Sequence, residues 1–367
     1  MEIYIINLMM LVGAGFIAEL VFRSRLSQII YCFYAWLQLT LIAAVRFSTG
    51  IDYNQYYNTY YEIARADGWG ELMQRREEIG YIFCNRLMSY ITDNIIVFLL
   101  FYYGIMFGLL LWYIYVYAEV KWIAVLCFIA FDFYAMSFCF MRQAMAIVIG
   151  LYALEMIKQR RWAATLLLTA IAMLFHVSAL FLLVCLAVSY IPWQNRKIQL
   201  LSLCIGAAAY FGSEVLLKYL LIGPFAKYSH YLESRFMEGN HGIIIIHSVL
   251  CFVLVFVMQQ RLCREDKAFQ RVMPVLFLGA VLSILSTRHY IIERMALYIT
   301  IYNIQVCSKV MGLIRNCKDK WNLLLAVISS LVIGCSAFAI GLHNDRYGII
   351  PYGISEYYLY ECGWLKK

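Results

Sequence analysis

Apolar residues run through this chain in blocks of up to about twenty, each closed by a short polar or basic cluster, and the blocks recur from one end to the other. A bilayer-crossing helix needs about 20 mostly apolar residues, fewer when it is buried among other helices, and on that measure the pattern predicts about 12 transmembrane helices. They run about 2 to 22, 27 to 45, 95 to 117, 122 to 136, 138 to 157, 162 to 175, 177 to 191, 198 to 221, 243 to 259, 272 to 287, 294 to 312 and 321 to 341. The fold class expected is all-α, a polytopic integral membrane protein forming a single transmembrane domain over residues 1–367. Two blocks between 122 and 191 are short, so a re-entrant pair there stays open as an alternative.

Three segments break the rhythm: 46–94, 222–242 and 342–367. The first carries Tyr53, Tyr56, Tyr57, Tyr60, Tyr61, Trp69, Tyr81 and Tyr90. Tyrosines three and four apart share a helical face. They predict either a helix lying in the membrane interface with its aromatics at headgroup depth, or ring faces that stack on sugars; the two do not exclude each other.

Composition agrees with a bilayer protein. The chain is 64% hydrophobic and only 14% charged, with a mean hydropathy of +0.73, more apolar surface than a soluble core of this length can hide. Its formal charge of +8 is spread over short clusters, which argues against nucleic acid. Arg23/Arg25, Lys158–Arg160–Arg161, Arg196–Lys197, Arg261–Arg264–Lys267–Arg271 and Arg315–Lys318–Lys320 fall on one side if the blocks alternate. The positive-inside rule makes that side cytoplasmic and puts both termini outside. The first block lacks a basic leader region and reads as a span, not a cleaved signal. The 12 cysteines form no CxxC pair or metal spacing, and most lie inside apolar blocks as small hydrophobes; Cys84 and Cys362 are the exceptions, and their pairing is a minor alternative. No P-loop or GxGxxG is present, and neither a metal nor a cofactor is expected.

The candidate chemistry is positional. All six histidines (His176, His230, His241, His247, His289, His343) fall on or near the predicted outer side, with Arg46, Asp52, Arg142, Arg288, Glu293 and Arg294. Charge inside an apolar helix is expensive and turns toward a cavity or a partner. Arginine suits diphosphate because its fork stays charged and binds oxygen pairs bidentately. Arg46, Arg142, Arg288 and Arg294 are therefore the candidate diphosphate ligands. Asp52, Glu78 and His176 are candidate bases, and Tyr53, Tyr56, Tyr81 and Tyr298 candidate sugar contacts. Plainer roles stand beside each: Arg46 as an interfacial anchor, Asp52 as a helix cap or partner of Arg46, Glu77 or Glu78 paired with Arg75 or Arg76, and His176 as an interhelical hydrogen bonder.

The stretch RFSTGIDYNQYY (Arg46 to Tyr57) resembles the R-x(3)-G-x-D-x(2)-Y region of the EpsG-like branch of Wzy-type bacterial polysaccharide polymerases. The likeness continues through EIGY (Glu78 to Tyr81), MRQAMA (Met141 to Ala146), FHVSAL (Phe175 to Leu180), ERMALY (Glu293 to Tyr298) and IPY (Ile350 to Tyr352), in the expected order. The resemblance implies a GT-C-like inner-membrane enzyme. It would join oligosaccharide repeat units carried on undecaprenyl diphosphate, as donor and acceptor, for O-antigen, capsule or exopolysaccharide. A chain-length regulator in the same membrane is a partner by family analogy. This chain's outer loops are shorter than the family's large one, which leaves open how acceptor glycan is held. A flippase or exporter of the same lipid-linked units, a glycan ligase and a membrane acyltransferase are the rival readings.

Overall fold

The computed structural model describes residues 1–215, 242–314 and 320–354. The expected segment 222–242 lies outside them except at its end, as do His230, His241 and everything after residue 354, Cys362 included. Among the described residues every regular element is a helix. A helix stands at each predicted block, but the blocks are not equivalent. Among the described residues three helices are long and apolar enough to cross a membrane: Glu2–Phe22, Arg25–Ala44 and Ile95–Tyr117; a fourth span results if Lys121–Ala130 and Phe133–Cys139, bent by 53°, count as one. These apolar helices make the chain a membrane protein. Among the described residues the figure of about 12 spans is not confirmed: several predicted blocks fold as shorter apolar helices such as Trp162–Met173 and Met273–Leu285. The block 294 to 312 is likewise two helices, Tyr290–Thr300 and Asn303–Ile314.

The chain forms two compact units. The first comprises Met1–Val148, Ala172–Val177 and Cys335–Lys367; the second comprises Ile149–Ile171 and Ser178–Gly334.

In the first unit, α1 (Glu2–Phe16, continued by a π-helical turn to Phe22) and α2 (Arg25–Ala44) are separated by a capping box. Ser24 Oγ accepts the Ser27 N–H at 3.0 Å, and Ser27 Oγ accepts the Ser24 N–H at 3.2 Å. After the segment containing α3 (Tyr53–Arg65), α4 (Trp69–Leu72) and α5 (Ile79–Ser89), Asn94 caps α6 (Ile95–Tyr117) through the Ile96 N–H at 2.8 Å. Glu19, buried in the π turn, accepts the N–H groups of Lys121 and Trp122 at 2.5 and 3.3 Å and so starts α7 (Lys121–Ala130). Asp132 then takes a left-handed conformation at φ 68°, which breaks the helix and begins α8 (Phe133–Cys139). This bend falls inside the 122–191 run where a re-entrant pair stood open as an alternative. Cys84 is a half-buried free thiol.

The helix in the 46–94 segment differs from expectation in what its apolar face meets. Tyr53, Tyr56, Tyr60 and Ile63 are buried. α3 packs on α5, and the Tyr60 ring stacks on Phe98 of α6 at 5.0 Å. The face that would have entered the interface is spent on the protein.

In the second unit, α9 (Met141–Lys158), which begins in the first unit, contributes its later half. It is joined by α10 (Trp162–Met173), α11 (Phe181–Val188), α12 (Arg196–Phe211), α13 (Gly242–Glu265), α14 (Met273–Leu285), α15 (Tyr290–Thr300) and α16 (Asn303–Ile314); α17 (Lys320–His343) ends in the first unit. α14 packs on both α13 and α15. A buried polar network ties three elements: Lys158 Nζ meets Glu155 at 2.7 Å and Asp266 at 3.3 Å, Lys309 Nζ meets Asp266 at 3.0 Å, and Tyr302 donates to Glu155 at 2.8 Å.

Candidate functional site

Four of the six sequence motifs, and the first half of a fifth (Phe175–Val177 of FHVSAL), lie in the first unit. The Arg46–Asp52 turn is strapped by the segment 346–353: Phe47 N–H donates to Gly353 O at 2.8 Å, Gly50 N–H to Gly348 O at 2.7 Å and Ile51 N–H to Tyr347 O at 3.0 Å. Gly50 sits at φ 100°, a conformation that only glycine adopts without strain, with the Phe138 carbonyl 3.3 Å from where a Cβ would stand. Cys139 Sγ donates to the Tyr347 carbonyl at 3.0 Å, and the Tyr352 hydroxyl reaches back to Ile42 O at 2.7 Å. The segment around the IPY motif is therefore the clasp of the RFSTGID turn, through Tyr347, Gly348 and Gly353 on either side of it, a relation across some three hundred residues that no local pattern announces.

Arg46 is fully buried in this turn. Its guanidinium lies over the rings of Phe138, Tyr103 and Tyr53 at 4.5, 5.1 and 5.9 Å and donates to the Phe138 carbonyl at 2.9 Å. Enclosed on three sides by rings, it holds the turn and presents no fork to a ligand, which corrects its expected place among the diphosphate ligands. Asp52 heads α3 without a side-chain cap bond, so the expected capping role is not seen.

Arg142 is different. It stands one residue into α9, partly exposed, and its Nη1 is ion-paired with Glu78 Oε2. Glu78 is the residue before α5, and its other oxygen accepts the Val177 N–H at 3.4 Å. The turn that carries Val177 and half-buried His176 is drawn in by Gly80, whose N–H donates to Leu174 O at 2.7 Å. Beneath the pair, the Tyr81 ring lies 5.7 Å from the Arg142 guanidinium. The Tyr56 hydroxyl donates to Cys139 O at 2.5 Å and accepts the Met141 N–H at 3.1 Å. Burial pushes the phenols of Tyr56 and Tyr81 well above their ordinary value, so both stay neutral. Beside the pair, burial opposes ionisation of Glu77, but hydrogen bonding and charge from Arg75 prevail and hold it below the usual carboxylate range; Arg75 also bonds Glu62 of α3 at 2.8 Å. The sequence offered Arg75 to either glutamate, and the structure gives it Glu77 and leaves Glu78 to Arg142.

The site residues expected on sequence grounds are thus partly gathered. Glu78, Tyr56, Tyr81 and Arg142 come together, with His176 on the adjoining turn. Arg288, Arg294 and Tyr298 belong to the second unit. There Arg288 lies over the Tyr210 ring at 4.5 Å and 3.9 Å from Glu214, and Tyr298 is fully buried with its hydroxyl 3.0 Å from Ser178 Oγ. Tyr53, Tyr56, Tyr81 and Tyr298 are all buried, so none offers the open ring face that a sugar contact requires. Among the described residues no group of three or more metal-ligating side chains is found.

Fold and site define a helical membrane protein with a partly open arginine–carboxylate pair at the starts of two helices. The EpsG family model matches residues 29–354, and the chain belongs to the EpsG family, whose members point to a polysaccharide-polymerase-like role. No curated protein and no solved structure matches the chain.

Proposed function

We propose that this protein is a membrane glycosyltransferase that lengthens a polysaccharide by joining oligosaccharide repeat units carried on undecaprenyl diphosphate, at the outer face of the cytoplasmic membrane. The observation that carries the reading is the Arg142–Glu78 pair, partly exposed and fixed by helix starts on a rigid aromatic base. An acceptor sugar hydroxyl attacks the donor's anomeric carbon. The new glycosidic C–O bond forms as the bond from that carbon to the diphosphate oxygen breaks, and undecaprenyl diphosphate leaves with the electron pair. Arg142 stabilises the charge that grows on the leaving oxygens. Glu78 takes the hydroxyl proton as Arg142 turns to the diphosphate, and His176 and Asp52, which belong to the same first unit, are the alternative bases. Arg288 and Arg294, in the second unit, are further ligands for lipid-linked anions under the same reading.

The test uses cells lacking the gene, complemented with wild type, Arg142→Ala or Glu78→Gln at matched membrane levels, with glycan resolved on a gel. A ladder from wild type and a single-repeat band from the variants supports polymerisation at this site. Absence of any repeat at the cell surface without the gene favours an exporter instead.

A further inference from the structure

α3 buries its tyrosine face against α5 and α6, and over residues 53–61 its opposite side carries no charge, the exposed Glu62 and Arg65 coming only in the last turn. Asn54, Tyr57, Asn58 and Tyr61 lie at spacings of three and four and form one stripe. The two asparagines are exposed and the two tyrosines half-buried. The tyrosine rings continue a file that begins at Tyr53, with centroids 6.5 Å apart from Tyr53 to Tyr57 and 4.8 Å from Tyr57 to Tyr61. The file's buried end is the helix turn that carries Tyr56, whose hydroxyl holds the Met141 N–H next to Arg142. The other end is pinned by the Arg75–Glu62 pair.

Resting on the polymerase reading above, we propose that this stripe is a rail for the growing acceptor glycan, gripping uncharged sugar rings behind the reacting end. The chemistry of the stripe selects the occupant. Ring faces take the C–H surface of a pyranose, and amide side chains donate to and accept from neighbouring hydroxyls in a fixed geometry. A lipid surface would ask for apolar residues or cations beside the tyrosines, but the most exposed positions of the stripe are the asparagines Asn54 and Asn58, and Ile63 and three of the tyrosines are turned inward. An acidic or basic ligand would ask for charge along the stripe, and the exposed charges of α3, Glu62 and Arg65, stand only past its end, with Glu62 already ion-paired to Arg75. Grip of this kind adds nothing to the first coupling, in which the acceptor is one unit long, and gains in strength as the chain lengthens across more of the stripe.

The rail is tested with paired variants in the complemented cells, and with protein in nanodiscs titrated with soluble fragments of the polymer. Tyr57→Leu with Tyr61→Leu keeps apolar bulk and removes the ring faces. Tyr57→Phe with Tyr61→Phe keeps them. Asn54→Ala with Asn58→Ala removes only exposed amides and leaves the fold untouched. The rail predicts that the Leu and Ala pairs form the two-unit product at the wild-type rate but give a severalfold shorter modal chain. Both should bind multi-repeat fragments about tenfold more weakly, while the Phe pair matches wild type on all readouts. Unchanged chain length and fragment binding in the Leu and Ala pairs overturns the rail and leaves the polymerase reading standing. Failure of wild type to extend any glycan overturns that reading itself.

Discussion

The Tyr56 hydroxyl accepts the backbone N–H of Met141 at 3.1 Å while donating to the Cys139 carbonyl at 2.5 Å. One phenol thus satisfies the last turn of α8 and the first turn of α9, and the residue it fixes is the neighbour of Arg142. Helix ends carry backbone groups that lack intrahelical partners, and here a buried side chain from α3 supplies the partner. Tyr56→Phe leaves both backbone groups unsatisfied in a buried place. The expected cost is about 1–3 kcal/mol, read as a lower melting temperature of the detergent-solubilised protein. Coupling should slow without a change in KM for the donor, because the displaced group is Arg142's mount and not a ligand. A wild-type melting temperature in the Phe variant would mean that the bridge does not form.

Arg142 and Glu78 are expected to fail differently. Arg142→Ala removes the cation facing the leaving group, and losses of about 10²–10³ in turnover are ordinary for such a donor. Arg142→Lys keeps the charge and loses the fork, so it should recover only part of that loss. Glu78→Gln keeps the hydrogen bond from Arg142 and removes the base, with an expected loss of about 10²–10⁴. Turnover measured on purified lipid-linked repeat units separates the two, and full activity in Glu78→Gln would transfer the base role to His176 or Asp52.

Much of this was readable along the chain, and the limits have physical causes. Apolar blocks located a helix at each expected place because hydrophobic content registers with bilayer or buried helices alike. For the same reason it could not tell a full span from a shorter apolar helix such as Trp162–Met173, nor see that Asp132 would bend one block in two. Arg142 and Glu78 were legible as charges in apolar or turn surroundings. Their pairing was not, since sixty-four residues separate them and Arg75 stood closer in sequence. The tyrosines of α3 were recognised as one face, but which face would be consumed depends on α5 and α6 packing over it. Arg46 looked like a ligand because sequence shows a cation and does not show the three rings that enclose it.

Arg46 yields a prediction opposite in kind to that for Arg142. Its cation is desolvated against Phe138, Tyr103 and Tyr53, where each such interaction is worth about 2 kcal/mol or more at best. Arg46→Met, close in volume, should lower the melting temperature and the amount of protein reaching the membrane. The protein that does fold should show an unchanged KM for the lipid-linked donor. A raised donor KM with unaltered stability would return Arg46 to the substrate-binding set.

Gly80 has no room for a methyl group. A Cβ there would stand 2.7 Å from the Leu174 carbonyl oxygen, which is backbone and cannot swing aside. Gly80→Ala should cost about 1–3 kcal/mol through overpacking and should loosen the Val177 turn from Glu78, lowering activity with stability. Gly70 is the control: nothing lies within 4 Å of its Cβ direction. Gly70→Ala in the short helix Trp69–Leu72 should be neutral or stabilising by about 0.5–1 kcal/mol. Thermal melts of the two single variants check the pair, and equal melts would contradict the close approach at Leu174.

The lysine–acid network of the second unit carries a pH signature. Burial opposes the ionised form of Asp266, but Lys309 and Lys158, hydrogen-bonded to it at 3.0 Å and 3.3 Å away respectively, outweigh that and hold its carboxyl below the usual range. A carboxyl whose folded pKa is depressed binds its proton more readily when unfolded, so its stabilisation is present in full above the unfolded value of about 3.9. It is lost as pH falls from there through the lower folded value. Asp266→Asn should therefore lower the melting temperature at neutral pH, leaving Lys309 and part of the Lys158 charge without a counter-ion. The gap from wild type should be constant from pH 7 down to about 5 and close below about 4. Melts of both proteins across that range decide it. A gap that persists undiminished into acid would show that Asp266 acts through its bond to the Ala268 N–H at 3.1 Å, a role that asparagine shares only in part, and not through its charge.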